Sequence, residues 1–115
     1  MVYKRGGIYL VNLNPSKGTE PGKIRPVVVL QTDLLNSIGH PTTIVAPLST
    51  QIITDTQPLR FLIQKRDKLR NDSDILLDQI RAVDNRRFTS ELLTELTSQE
   101  RLRLEEMLKL VLGMD

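Results

Sequence analysis

The sequence predicts a mainly β fold, a small and strongly bent sheet or barrel, with one α-helix at its C-terminal end. Two observations predict it. Through the first two-thirds of the chain, short apolar runs are separated by the breakers Pro15, Gly18, Pro21-Gly22, Gly39, Pro41, Pro58 and Asn71-Asp72-Ser73. Near the end the period changes: Leu104, Met107, Leu108 and Val111 follow the i, i+3, i+4, i+7 spacing of one helix face. The 115 residues hold a single domain spanning 1–115, with no linker, repeat or low-complexity segment. A domain of that size buries roughly two-thirds of its unfolded surface and folds without staples.

The elements follow in order. Gly7 to Leu13 alternates, placing Tyr9, Val11 and Leu13 on one face of a first strand. Arg25 to Gln31 is nearly continuous apolar sequence around Val27–Leu30, the pattern of a strand buried on both faces. Further strands are expected at Thr42–Leu48, Leu59–Gln64 and Asp74–Val83, and a short helix at Arg86–Leu96. The terminal helix carries its own punctuation. Thr97 and Glu100 have capping-box spacing, and Gly113 stands where a glycine stop belongs.

Composition narrows the chemistry. There is no cysteine, which removes disulfides, zinc–thiolate sites and thiol nucleophiles and fits a reducing cytoplasm. The N-terminal apolar stretch is broken by Asn12, Asn14 and Pro15, too short and polar for a secretory signal or membrane span. The only histidine, His40, lies in a Gly-His-Pro turn, so no histidine acid–base pair forms within one chain. Asp72, Asp74 and Asp78 would share a strand face, but no His or Glu completes a metal site. No metal and no cofactor is expected.

Charge is unevenly spread. Met1–Gln31 holds five basic residues against Glu20, and Lys65–Arg70 holds four against Asp67. Glu91–Glu106 is acidic, with five glutamates against Arg101 and Arg103. Basic surface on the strand-rich part suits phosphate or an acidic protein tail; a solvated face is its ordinary alternative. In the loop before the buried strand, Gly18 and Gly22 flank Glu20, then Lys23 and Arg25 precede Pro26. Proline restricts Arg25 to extended geometry and has no N–H for the ladder, so Arg25 is held at the rim of the sheet with Lys23 beside it.

The run GTEPGKIRPVVVL resembles the G-x-E-x-x-x-x-R-P pattern of the MazF/PemK toxins. The opening KRGGIYLVNLNPSKG, the segment TTIVAPLSTQ and the block SDILLDQIRAVDNRRF resemble further family segments in the same order, over nearly the whole chain. That resemblance implies an SH3-like bent barrel of the MazF/CcdB type, a homodimer with RNA lying in the interface groove. It also implies metal-free cleavage of single-stranded RNA through the neighbouring 2′-OH, leaving 2′,3′-cyclic phosphate and 5′-OH ends. The family's catalytic arginine falls on Arg25, its companion hydroxyl on Ser49 (usually threonine, with Thr50 next in line), and its loop glutamate on Glu20. Lys23, Thr50, Asn36, Asp78, Gln79 and Arg81 become candidates for RNA contact. The Gln51–Pro58 loop corresponds to a segment that covers the site, and the implied partner is an antitoxin with an acidic, partly disordered tail. Two alternatives remain: a CcdB-like gyrase poison, disfavoured by the end LVLGMD and the absence of tryptophan, and an inactive relative that binds RNA or antitoxin.

Overall fold

In a computed structural model, residues 3–15, 18–19 and 22–114 are described. Among these residues seven strands run β1 (Gly7–Asn12), β2 (Ile24–Val29), β3 (Thr42–Ser49), β4 (Arg60–Ile63), β5 (Ser73–Leu76), β6 (Arg81–Asp84) and β7 (Thr94–Glu95). A short helix α1 (Asp33–Ser37) joins β2 to β3, and helix α2 (Ser98–Leu112) ends the fold. The strands form one antiparallel sheet in the order β4-β5-β3-β2-β1-β7, with β6 pairing the first half of β3.

The alternation read from the sequence becomes two apolar layers. Tyr9, Val11, Leu13, Val27, Val29, Val45 and Val83 form one, with Tyr3, Phe88 and Leu92 against it. Ile8, Val28, Ala46, Leu48, Phe61 and Ile75 belong to the other, on which Leu104 and Met107 of α2 dock. The expectation of a strand buried on both faces therefore holds for the second half of β2, whose three valines are fully buried. Both ends of α2 are as the sequence predicts. Thr97 accepts from the Glu100 backbone N–H while the Glu100 carboxylate accepts from Thr97, and Gly113 closes the helix in the left-handed conformation at φ 69°.

Three elements depart from expectation. Asp74–Val83 is not one strand: a 3-10 turn at Leu77–Gln79 breaks it, so that β5 pairs with β4 and the end of β3 while β6 pairs with the start of β3. That break makes the corner of the bent sheet. Arg86–Leu96 contains a 3-10 turn (Asn85–Arg87) and then runs extended along the outer edge of β1. Its leucines have helical spacing, but the edge of β1 needs partners more: Thr89, Leu93 and Leu96 donate to the carbonyls of Leu10, Ile8 and Gly6, and Ser90 Oγ accepts from Leu10. Helix α1 was not expected. Thr32 caps it, and five residues are too few to show a period.

Candidate active site

The site lies where β2 and β3 end. Val27 faces Pro47 in the β2–β3 ladder, and continuing that register two residues sets Arg25 opposite Ser49. Ser49 pairs with Asp74 of β5, and Asp74 with Leu62 of β4. Arg25 also pairs with Val11 of β1. Paired residues, and residues two apart on a strand, share a face, so Arg25, Ser49 and Asp74 lie on one face, Ser49 paired with Asp74 and Arg25 just beyond the last β2–β3 pair.

Pro26 fits here for a reason specific to this register. It faces Leu10, whose N–H and C=O are used by Ser90 and Thr89 on the far side, so the ladder to β1 asks nothing of the missing proline N–H. The β2–β3 pairing stops one residue earlier, at Val27. Arg25 is then anchored through its own side chain. Nε donates to the Gly22 carbonyl at 3.0 Å, and Nη1 approaches the Leu48 carbonyl at 3.4 Å. Among the described residues, three of the five guanidinium N–H groups have no hydrogen-bond partner. Ser49 Oγ accepts from the Gln51 N–H at 3.2 Å, which leaves its own proton to donate.

Lys23 lies outside the strand rather than in line with Arg25. It adopts the left-handed conformation (φ 66°), with its N–H donated to Asn14 Oδ1 at 2.7 Å and its carbonyl accepting from Leu13. A non-glycine residue held there stores backbone strain next to the proposed catalytic arginine. Thr50 is exposed one residue beyond Ser49 and lines, with Pro26, Lys68 and Arg70, an open cleft of about 740 Å³. Glu20 lies outside the described residues.

Residues 4–112 match a family described as PemK-like, MazF-like toxin of type II toxin-antitoxin system. The chain is 38% identical over 115 residues to "Endoribonuclease EndoA" of Bacillus subtilis (strain 168), covering 99% of this chain and 97% of that protein. The chain belongs to the PemK/MazF toxin family. It is also 39% identical over 113 residues to "Endoribonuclease MazF" of Staphylococcus epidermidis, covering 97% of this chain and 92% of the relative. Among solved structures, MazF from Deinococcus radiodurans (Form-I) superposes with a TM-score of 0.80 at 23% identity, covering 99% of each chain. An endoribonuclease from Mycobacterial species in complex with its cognate antitoxin gives 0.75 at 17% identity, covering 99% of this chain and 96% of that one. These two likenesses establish the bent MazF-type sheet with its terminal helix as the fold.

Not every residue singled out in the family pattern gathers at the site. Asn36 is buried at the opposite end of β2 and β3, where its amide donates to the Gln31 carbonyl and Asp33 and accepts from Gln31 Nε2. That amide closes α1 against the sheet and offers nothing to RNA. Asp78 (exposed) and Gln79 (half-buried) sit on the 3-10 corner rather than within a strand. Arg81 opens β6 opposite Val45, on the same face as Ser49 but four residues along β3, about 13 Å away. Its Nη1 is the one buried side-chain nitrogen or oxygen without a hydrogen-bond partner among the described residues.

Sequence reasoning missed Asp74 and Arg60. The Asp74 carboxylate is 3% exposed and accepts from the Ile53 N–H at 3.0 Å and from Arg60 Nη1 at 3.1 Å. A carboxylate inside the buried pattern of Ser73–Leu77 was the available signal, since such a group needs a paired cation. The basic bias also needs correcting. Lys4, Arg5 and Arg66 are paired to Glu95, Glu105 and Glu100, so three of the cations face the acidic C-terminal segment rather than a ligand. No cluster of three or more potential metal ligands occurs among the described residues. No described helix is long and apolar enough to cross a membrane.

Proposed function

We propose that this chain is a sequence-specific, metal-independent endoribonuclease toxin acting on single-stranded RNA. Its family membership and the two relatives named as endoribonucleases support the activity. The observation that carries the chemistry is a guanidinium fixed by the Gly22 and Leu48 carbonyls on the same sheet face as the Ser49 hydroxyl, where β2 begins and β3 ends.

The RNA supplies its own nucleophile. The 2′-OH attacks the adjacent phosphorus in line, and the P–O5′ bond breaks. A 2′,3′-cyclic phosphate remains on one product and the 5′-oxygen leaves, taking up a proton. The protein's task is to orient the hydroxyl and stabilise the phosphorane. The role of Arg25 is electrostatic, with its remaining N–H groups on the equatorial oxygens. Ser49 donates its hydroxyl proton to a phosphate oxygen, and Thr50 is the second hydroxyl of the same turn. Glu20 is assigned to orienting Arg25 or accepting the 2′-OH proton. Lys23, Arg81, Gln79 and Asp78 contact phosphate or base edges farther along the strand.

A toxin of this kind is held in check by an antitoxin. Related toxins have been solved with theirs, among them MazE-MazF from Deinococcus radiodurans. Here an acidic, partly disordered tail would occupy the RNA groove beside Lys68 and Arg70, and two copies of the chain would assemble as a homodimer. Cleavage of a long RNA in the presence of EDTA by wild type, Arg25→Ala and Ser49→Ala tests the site. Wild-type cutting with a loss of about 10²–10³-fold in Arg25→Ala is expected. Full activity of Arg25→Ala would refute the assignment. Gyrase supercoiling assayed alongside separates the other reading: inhibition with the RNA left intact would replace the nuclease by a gyrase poison.

A further inference from the structure

We infer that Asp74 and Arg60 are positioning residues that hold the Ser49 hydroxyl through the loop after β3. The inference rests on the endoribonuclease reading above and extends it to a pair that the family pattern does not single out.

The hydrogen bonds form an unbroken path. Arg60 Nη1 donates to Asp74 Oδ2 at 3.1 Å and to the Gln51 carbonyl at 3.0 Å. The N–H of the same Gln51 donates to Ser49 Oγ at 3.2 Å. Asp74 Oδ2 also accepts the Ile53 N–H at 3.0 Å, and Asp74 pairs directly with Ser49 in the β3–β5 ladder. One carboxylate oxygen and one guanidinium nitrogen thus fasten both Gln51 and Ile53, the first and third residues of the loop that begins beside the site. The carboxylate itself is almost fully buried while Arg60 is 22% exposed, so water competes little at the anchor.

The physical need follows from the side chain at position 49. Serine lacks the second Cβ substituent that confines χ1 in threonine. A threonine hydroxyl is partly fixed by its own branching, whereas the Ser49 hydroxyl must be fixed from outside. Gln51 does so only if its backbone is held, and Arg60 holds the next peptide unit, through the Gln51 carbonyl, on the other side of the same Cα. Asp74 in turn orients Arg60. In this chain the latch does the work that a β-branch would do.

The test is kinetic, on an RNA oligonucleotide containing one cut site. Arg60→Ala is expected to lower kcat about tenfold with KM within about twofold of wild type, because a misplaced hydroxyl costs the chemical step more than binding. Arg60→Lys should recover most of the loss. Placed in a Ser49→Ala background, Arg60→Ala should cost almost nothing further, since both changes remove the same contact. An equal fold-loss in both backgrounds, or an unchanged kcat, would overturn the inference. Amide hydrogen exchange supplies a readout independent of cleavage and of full folding. In Arg60→Ala and Asp74→Asn, the Gln51 and Ile53 amides should exchange faster while Val27 and Val28 stay protected. Unchanged protection at Ile53 in Asp74→Asn would overturn it equally. The two levels separate cleanly. Undiminished cleavage by Ser49→Ala removes the reading of Ser49 itself, whereas an impaired Ser49→Ala beside a fully active Arg60→Ala removes only the latch.

Discussion

Arg25 combines two properties that seldom coexist in an arginine, a fixed position and unused donors. Its Nε is spent on the Gly22 carbonyl and one Nη1 hydrogen points to Leu48, so the planar group is aimed without a carboxylate partner among the described residues. A lysine would supply the charge but not the fork, and Arg25→Lys should therefore cleave far more slowly than wild type, a loss read as kcat on a single-site oligonucleotide. Lys23 offers a test in which stability and function move in opposite directions. Glycine at position 23 relieves the left-handed strain and should stabilise the fold by about 1 kcal/mol while weakening RNA binding. Denaturant melts and RNA titrations on Lys23→Gly measure both. At this scale the sequence was legible where a local rule applied, as with Pro26 fixing the approach to Arg25. It was less legible where the partner lay across the sheet: a carboxylate in a buried run signals that Asp74 needs a cation, but no neighbouring letter names Arg60 as that cation or shows the enclosure of Asn36.

The elements divide by whether their reasons are local. Helix α2 begins with a capping box and ends on Gly113, both read directly from residue spacing. Replacing Thr97 by Ala should cost about 1 kcal/mol, seen as a lower Tm. Glu100 has a second duty there, a bidentate pair with Arg66 at 2.6 and 2.9 Å. Burial pushes its carboxyl up, but the hydrogen bonds from Arg66 and Thr97 outweigh that and leave it below the ordinary carboxyl value of 4.5. A depressed carboxyl adds stability above its unfolded pKa and loses it as pH falls through the folded one. Acid should therefore weaken the α2 anchorage below about pH 4.5, and Glu100→Gln should flatten that limb of the stability curve. By contrast, the segment after Arg86 has leucines at helical spacing and is nevertheless extended, because the edge of β1 takes its N–H groups. The break at Leu77–Gln79 is equally non-local: a corner is demanded by the bend of the sheet, not by any proline or glycine within Asp74–Val83.

Across the whole molecule, the acidic C-terminal segment neutralises part of the two basic segments, through Lys4–Glu95, Arg5–Glu105 and Arg66–Glu100. Among the described residues, Lys23, Arg25, Lys68 and Arg70 form no ion pair, and Lys68 and Arg70 line the cleft that Pro26 and Thr50 also line. The account as a whole turns on who supplies the nucleophile. The measurement that reaches it most directly is cleavage, in EDTA, of an RNA oligonucleotide in which only the 2′-OH at the cut site is replaced by hydrogen. The wild-type chain should cut the all-RNA strand to a 2′,3′-cyclic phosphate and a 5′-OH end and leave the substituted strand intact. Cutting of the substituted strand at the same bond would contradict the account.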